Sequence, residues 1–352
     1  MLSNKKSLAI LLFFSVLLIS IILVGCKSRN TDESNQHLKA GIESSNKNDL
    51  NKALDEYNLA IQADYENSSA YFRRASLYIS RNDLPNGLKD LDEAIKLSPD
   101  SARFYDSRGY TYLTMNRLKE AMEDMEQAVQ KDNKNAVYIN RRGYVYALLK
   151  DYTTAVKDYT KAIELNPKFE DAFANRGFAY MNLKMYDKAA DDFTRAIEFN
   201  PKNAVYYNSR GYCYVNVNKA GSALDDYNKA IELNPNLVDA YINRGFVYMN
   251  TDQFKPAVTD FTAAIKIDQT KPIVFNSRGY AYASLKDYDN ALIDYNKAIE
   301  LDSTLTDAYV NRGFTYFNKF DKPNALKDWQ HAVLQKPALD STLKAYIDKV
   351  KK

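Results

Sequence analysis

Hydrophobic and polar positions repeat with a period of 34 residues over most of the chain. Each period holds two segments with the apolar spacing of an amphipathic helix, separated by a polar turn such as Lys150-Asp151. A small residue marks the same place in nine consecutive periods, without insertion or deletion: Gly41, Ala75, Gly109, Gly143, Gly177, Gly211, Gly245, Gly279 and Gly313. With that residue numbered as position eight, residues 34–339 form nine helix-turn-helix repeats.

Three further columns accompany position eight. Position eleven is Tyr in eight repeats, position twenty is Ala in eight, and position twenty-seven is Ala in all nine, from Ala60 to Ala332. Small side chains at eight, twenty and twenty-seven let two helices approach closely, and we expect the tyrosine at eleven to fill the remaining gap. These columns resemble the tetratricopeptide repeat family, which implies an all-α, right-handed α-solenoid (superhelix) with a concave groove. Residues 340–352 continue a helical pattern and are expected to form a C-terminal capping helix.

Two charged columns run through the repeats. Position seven is Arg in eight of them, from Arg74 to Arg312, and position twenty-three is acidic in all nine, from Glu56 to Asp328. The arginines could capture an anion. If the two helices turn near position sixteen, however, positions seven and twenty-three lie equally far from the turn, so we expect each Arg to pair with Asp beside the core.

The first 25 residues do not follow the 34-residue period. Lys5 and Lys6 precede an apolar run, and only Ser15 and Ser20 are polar between Leu8 and Gly25, as in an export signal. The run ends Leu23-Val24-Gly25-Cys26, which resembles the lipobox of bacterial lipoproteins. The resemblance implies cleavage before Cys26, acylation of that cysteine, and a polar tether over residues 26–33. An uncleaved transmembrane helix is the alternative, because 18 residues are just long enough to span a bilayer.

Composition narrows the functions that are compatible with this pattern. Two of the 48 Lys and Arg residues precede Gly25, which leaves 46 against 45 Asp and Glu, and this balance argues against nucleic-acid binding. Two Cys and two His leave no cluster for zinc, and no Walker loop, nucleophile elbow or His-Glu-x-x-His helix is present. We therefore expect neither an enzyme nor a cofactor or metal, and we expect Cys213 to be a small packing residue.

On the first helix of each repeat, positions two, five, six, nine, twelve and thirteen share one face. By resemblance to the family this face lines the groove. Position nine is aromatic in seven successive repeats: Tyr110, Tyr144, Phe178, Tyr212, Phe246, Tyr280 and Phe314. Asparagine alternates between positions five and six in six repeats: Asn140, Asn175, Asn208, Asn243, Asn276 and Asn311. A second amide column at position thirteen comprises Asn182, Asn216, Asn250 and Asn318.

Two interpretations of the aromatic and amide columns stay open. Asparagines can hold a peptide backbone by paired hydrogen bonds, and the arrangement resembles the asparagine ladder in the repeat arm of the enzyme that attaches N-acetylglucosamine to Ser and Thr. Alternatively, the rings pack against the adjacent repeat and the amides cap or solvate the helices. Position two also alternates between acidic and aliphatic residues with a 68-residue period, as in Asp171, Val205 and Asp239. This period indicates either a ligand with a matching period or tandem duplication of a pair of repeats.

These observations predict a lipid-anchored scaffold of the bacterial envelope, most simply at the outer membrane because Lys27 replaces the Asp of the enterobacterial retention rule. The expected partner is an envelope protein or extended peptide in the groove, with the membrane bound through Cys26 and no nucleic acid. Two alternatives have other ligands. One is binding of peptidoglycan or another envelope glycan, because aromatic faces beside amides suit sugars, and the other is self-assembly into a homo-oligomer.

Overall fold

The computed structural model describes residues 29–351, and this part of the chain is all-helical, with nineteen α-helices, one short 3-10 helix and no strand. The predicted signal peptide (residues 1–25) and the predicted lipidation site Cys26 lie outside the described residues. Two compact bodies divide the chain after Lys150. None of the helices in residues 29–351 combines the length and apolar composition that crossing a bilayer requires.

Each repeat contributes a first and a second helix. The N-terminal body contains α1 (Thr31–Asn46), α2 (Leu50–Ala63), α3 (Ser68–Ser80), α4 (Leu84–Leu97), α5 (Ala102–Thr114), α6 (Leu118–Lys131) and α7 (Ala136–Leu148). The C-terminal body contains α8 (Tyr152–Leu165), α9 (Glu170–Asn182), α10 (Tyr186–Phe199), α11 (Ala204–Asn216), α12 (Ala220–Leu233), α13 (Val238–Asn250), α14 (Phe254–Ile267), α15 (Pro272–Ser284), α16 (Tyr288–Leu301), α17 (Thr306–Asn318), α18 (Lys322–Gln335), a 3-10 helix (Pro337–Leu339) and α19 (Asp340–Lys351).

Within each body every helix packs against the next one along the chain. First helices of successive repeats also touch, as α1 does with α3, α11 with α13, and α15 with α17. Within each body the first helices therefore lie side by side and form a common face, as the α-solenoid prediction requires. The predicted capping helix is present as α19, whose Leu343, Ile347 and Val350 are buried against the last repeat.

The first repeat begins earlier than the sequence predicts. Helix α1 starts at Thr31, and the side chain of Asn30 caps it by accepting the Glu33 N–H. The backbone N–H of Asn30 donates to the carbonyl of Ala63 at 2.9 Å, and Arg29 Nε pairs with the buried Asp64 at 2.7 Å. The chain is thus fastened to the first repeat from Arg29 onward, and this part of the predicted tether is folded.

The two helices of a repeat are joined by one residue in the left-handed conformation. It occupies position fifteen in all nine repeats, with φ between 56° and 64°, and it is never glycine. In the second repeat, Asn82 takes this conformation, and the N–H of the following Asp83 donates to the carbonyl of Tyr78 at 2.8 Å. Asp83 then caps α4 by accepting the Asn86 N–H. A single left-handed residue therefore ends one helix and places the cap of the next.

The core is centred on position twenty-four of the second helix. This position is large and almost fully buried in every repeat: Tyr57, Leu91, Met125, Tyr159, Phe193, Tyr227, Phe261, Tyr295 and Trp329. A Cβ added to Gly245 would lie 2.8 Å from the Phe261 ring, so glycine at this residue is required by close packing and not by its backbone angles. The prediction that the position-eleven tyrosine fills this gap is wrong, because the position-twenty-four side chain fills it.

The predicted pairing of the charged columns is confirmed. Arg Nε and Nη2 donate to both carboxylate oxygens at 2.6–2.8 Å in seven repeats: Arg74–Asp90, Arg108–Asp124, Arg176–Asp192, Arg210–Asp226, Arg244–Asp260, Arg278–Asp294 and Arg312–Asp328. The first repeat, which has Ala40 at position seven, instead pairs His37 with Glu56 at 2.7 Å.

Each of these arginines also binds the preceding repeat. Its Nη1 donates, at 2.5–3.1 Å, to position twenty-five of the previous second helix: Asn58, Asp92, Thr160, Thr194, Asn228, Thr262 and Asn296. Aromatic rings flank the guanidinium, as Tyr71 and Tyr78 do for Arg74 at 5.7 and 5.9 Å. The half-buried position-eleven tyrosine therefore packs on the arginine. Burial raises the pKa of Asp192 and Asp294, so the net contribution of an intact pair is modest.

Removal of one member of a pair is expected to destabilise the array strongly. Arg244→Ala leaves Asp260 buried without its partner, and we expect a loss of about 3 kcal/mol in the free energy of unfolding, measured by urea denaturation. Arg244→Leu combined with Asp260→Leu removes both charges and should cost less than about 1 kcal/mol. The control Arg195→Ala removes an exposed arginine and should change stability by under about 0.5 kcal/mol. An Arg244→Ala protein that unfolds like the wild type would refute this role.

Candidate functional site

The aromatic column at position nine is partly open to solvent on the first helices. Tyr110, Tyr144, Tyr212 and Tyr280 are 39–49% exposed, whereas Phe246 and Phe314 are half-buried. The phenylalanines pack edge-on against the position-twenty-four ring of their own repeat, with centroids 5.0 Å apart for Phe178 and Phe193. Tyr280 instead contacts Phe254 of the preceding repeat at 6.4 Å. The rings therefore pack against their own or the preceding repeat, as the packing interpretation predicts, and the four tyrosines also keep a solvent-exposed side. Binding of a ligand by this column stays a prediction.

The asparagine column forms bonds between neighbouring repeats. Asn243 Nδ2 donates to Asn208 Oδ1 at 3.1 Å, and Asn311 Nδ2 donates to Asn276 Oδ1 at the same distance. Asn140 and Asn276 are buried, and the other four are half-buried. At position thirteen, Asn182 and Asn216 donate to the carbonyls of Phe178 and Tyr212 on their own helices. The position-thirteen amides of these two helices therefore cap backbone, and the column at positions five and six is the one that spans repeats.

In the N-terminal body an ion pair occupies the register of the amide pairs. Asp106 at position five of its repeat binds Arg141 at position six of the next. The second oxygen of Asp106, Oδ1, is buried and has no hydrogen-bond partner. Burial raises the pKa of Asp106, although Arg141 opposes the shift. The sequence prediction did not include this pair, and the shared register with Asn208–Asn243 is the signal that identifies it.

Two adjacent hollows open on the first-helix face of the C-terminal body. One, of about 240 Å³, is lined by Met249, Asn276, Ser277, Tyr280, Asp307, Val310 and Asn311. The other, of about 290 Å³, shares Tyr280 and Asn311 and extends to Phe314 and Asn318. All residues around the first hollow occupy positions two, five, six, nine or twelve of first helices. The face predicted from helical geometry therefore contains real concavities, with four of the predicted site residues around them.

Residues that could support other chemistry do not form a site in the described part of the chain. Within residues 29–351, no group of three or more His, Cys, Asp or Glu is arranged to hold a metal ion. Cys213 is fully buried, and burial raises the pKa of its thiol to about 12, so it is a packing residue as predicted. A third hollow, of about 500 Å³, is lined by Tyr309, Arg312, Asp328 and His331 among others, and by no residue of the position-nine column.

Models of one family match the sequence. The tetratricopeptide repeat models match residues 38–102, 102–135, 170–203 and 238–271, and a further TPR repeat model matches residues 143–184, 218–252 and 279–319. These segments together span well over half of the 352 residues. No curated protein matches the chain.

Solved structures support the same fold. A tetratricopeptide repeat protein from Parabacteroides merdae ATCC 43184 is 19% identical, with a TM-score of 0.53 over 71% of this chain and 99% of that one. The APC/C hetero-tetramer Cut9-Hcn1 is 17% identical, with a TM-score of 0.55 over 86% of this chain and 59% of that one. YrrB, described as a TPR protein with an unusual peptide-binding site, is 24% identical, with a TM-score of 0.47 over 53% of this chain and 97% of that one. At these identities the likeness to the first two structures concerns the fold alone.

Conversion of the Asp106–Arg141 pair to the amide pair of the other repeats should stabilise the N-terminal body. Because burial raises the folded-state pKa of Asp106 above its ordinary value, the folded chain binds more protons than the unfolded chain between the two values, and wild-type stability falls as pH rises through that window. Asp106→Asn with Arg141→Asn should therefore raise the free energy of unfolding by about 1 kcal/mol at pH 7, less below pH 4.

Thermal unfolding at several pH values tests this expectation. The control pair Asp100→Asn with Lys131→Asn removes an ion pair whose aspartate is almost fully exposed, and it should have little effect at any pH. A lower melting temperature for the Asp106→Asn, Arg141→Asn protein at pH 7 would contradict the expectation.

Proposed function

The chain belongs to the tetratricopeptide repeat family, and we propose that it is a non-enzymatic scaffold that binds an extended peptide segment of an envelope protein on its first-helix face. The observation that carries this proposal is the coincidence of the two hollows with the predicted site residues Asn276, Tyr280 and Asn311. Scaffolding by repeat proteins uses such extended surfaces and needs no reactive group.

The chemistry of this face suits a peptide main chain. An asparagine amide offers two donors and an acceptor, and each observed Asn–Asn bond uses one donor of the first residue and the oxygen of the second. The Nδ2 of Asn208 and of Asn276 donates to no other described residue, so it can donate to a peptide carbonyl. The exposed sides of Tyr212 and Tyr280 add apolar area for side chains.

We also propose that the protein is anchored in the bacterial envelope, at the outer membrane, by acyl chains on Cys26. The Leu23–Cys26 motif supports this part of the proposal. Arg29 is bound to the first repeat, and three residues of chain reach at most about 11 Å, so acylation would hold that repeat close to the membrane. Tethering to a surface raises the effective concentration of the scaffold for partners on the same membrane.

Glycan binding is the second candidate, because the exposed Tyr212 and Tyr280 rings stand beside amides as sugar sites require. Soluble peptidoglycan fragments that raise the melting temperature would favour it. Self-assembly through the ends of the array is a third candidate, for which Tyr346 of α19, which packs on Trp329 but is 41% exposed, supplies apolar surface. Light scattering of the Cys26→Ser protein as a function of concentration tests this candidate.

A photo-crosslinking amino acid at Tyr280 tests the binding face. We expect p-benzoylphenylalanine at Tyr280 or Tyr212 to form adducts in intact cells, because these rings border the face. The control position is Ile293, which is 63% exposed on the second helix α16 and should give no adduct. Protease-sensitive adducts would identify a protein partner and muramidase-sensitive ones a glycan. Equal labelling at the three positions, or none at any, would contradict the proposed face.

Lipidation can be tested separately. Cys26→Ser should abolish incorporation of an alkyne-tagged fatty acid and release the protein from the membrane fraction, because the acyl chains are the anchor. The control is Cys213→Ala, which replaces a buried cysteine by the alanine found at the same repeat position in Ala179 and Ala281, and it should retain both properties. A Cys26→Ser protein that stays in the membrane fraction would favour the uncleaved transmembrane segment.

A further inference from the structure

The lining of the 240 Å³ hollow occurs twice in the C-terminal body. Sixty-eight residues before Met249, Asn276, Ser277, Tyr280, Asp307 and Asn311, the chain carries the same residue types, Met181, Asn208, Ser209, Tyr212, Asp239 and Asn243. The seventh position changes only from Val310 to Ile242. The 68-residue period of the sequence is therefore a period of one particular set of side chains.

The two sets are built with the same geometry. The Asn–Asn bond measures 3.1 Å in each, and the serine is buried in each, Ser209 at 5% and Ser277 at 4% exposure. Tyr212 and Tyr280 have similar exposure, and each packs edge-on against the ring at position seventeen of the preceding repeat, Tyr186 or Phe254. Asn276 is more than nine-tenths buried, and its Nδ2 has no acceptor among the described residues.

The charge of the surrounding face has one sign. Helices α9, α11, α13, α15 and α17 contain no Lys, and each has a single Arg whose guanidinium is bound to the buried Asp of its repeat. The carboxylates of Asp239 and Asp307 are exposed and form no ion pair with any described residue. Each set thus combines a tyrosine ring, an Asn–Asn pair and an aspartate carboxylate that has no cationic partner among the described residues.

We propose that the two sets are equivalent pockets, each of which takes one Lys or Arg side chain of an extended basic peptide. This proposal rests on the peptide-binding function proposed above and specifies its ligand. Asp239 or Asp307 pairs with the cation, the Tyr212 or Tyr280 ring contacts the charged end and its methylenes, and the asparagine Nδ2 donates to a peptide carbonyl. A volume of about 240 Å³ suits one side chain and is below the usual range for drug-sized ligands.

The spacing of the pockets predicts the spacing of the basic residues. The pockets are two repeats apart, and neighbouring packed helices lie roughly 8–10 Å apart, so equivalent points are about 20 Å apart. An extended peptide advances about 3.3 Å per residue, which places the two cations about six residues apart.

Fluorescence anisotropy with three synthetic peptides tests the proposal on the full chain carrying Cys26→Ser. The three peptides have the same Ser/Ala sequence and differ at two positions about six residues apart. The first has lysine at both positions, the second has acetylated lysine, and the third has glutamate. We expect the lysine peptide to bind most tightly, and Asp239→Asn or Asp307→Asn to weaken it about twofold to fivefold each. The double variant should lose the preference for the lysine peptide. The control Asp225→Asn makes the same charge change at an exposed site on α12 and should leave binding unchanged.

The outcomes separate this proposal from the proposed function. Equal binding of the three peptides, an effect of Asp225→Asn equal to that of Asp307→Asn, or no binding of any peptide would overturn the basic-peptide pockets. A sugar such as a chito-oligosaccharide that bound in preference to the lysine peptide, and was insensitive to both Asp→Asn changes, would also overturn them. Protease-sensitive adducts at Tyr280 but not at Ile293 would still support a protein partner on this face, and loss of those adducts would reject the proposed function itself.

Discussion

The arginine at position seven is the interaction on which the arrangement of repeats depends. Its guanidinium uses two nitrogens on the aspartate of its own repeat and the third on the second helix of the repeat before it. One side chain therefore sets both the angle within a helix pair and the contact between pairs. An array of this kind derives its stability from such nearest-neighbour terms, because no repeat can bury its apolar face alone.

The open face of the first helices is a consequence of this internal organisation. Arginine and its flanking rings lie on the side of the first helix that meets the second helices, and the buried position-twenty-four ring fills the space beside glycine. The side chains on the remaining side of the first helix do not contribute to these contacts, so other residue types there are compatible with the fold. Asparagine pairs, exposed tyrosines and carboxylates without an ion pair lie on that side of the first helices, where they are accessible to a ligand.

The sequence predicted the fold more fully than it predicted the site. Helix pairs and the Arg–Asp pairing follow from the 34-residue period, because a repeated fold repeats its constraints. The capping helix follows from the helical spacing of apolar residues after the last repeat. The role of position twenty-four was missed because Tyr, Phe, Leu, Met and Trp share size and burial there but not identity. The bonds between Asn208 and Asn243 and between Asp106 and Arg141 depend on the stagger between neighbouring helices, which helical spacing within one repeat does not define. The predicted anchor at Cys26 lies outside the described residues.

The direction of the arginine bond bears on how the protein is made. Each Nη1 reaches toward the N-terminus, to a helix that the ribosome has already synthesised when the arginine emerges. The acceptor for the arginine of a newly completed repeat is therefore already present on the preceding, folded repeat. In the reverse orientation, the Nη1 of each arginine would lack its acceptor until the next repeat was synthesised. The array is suited to vectorial growth during translation, with at most one incomplete edge at any moment.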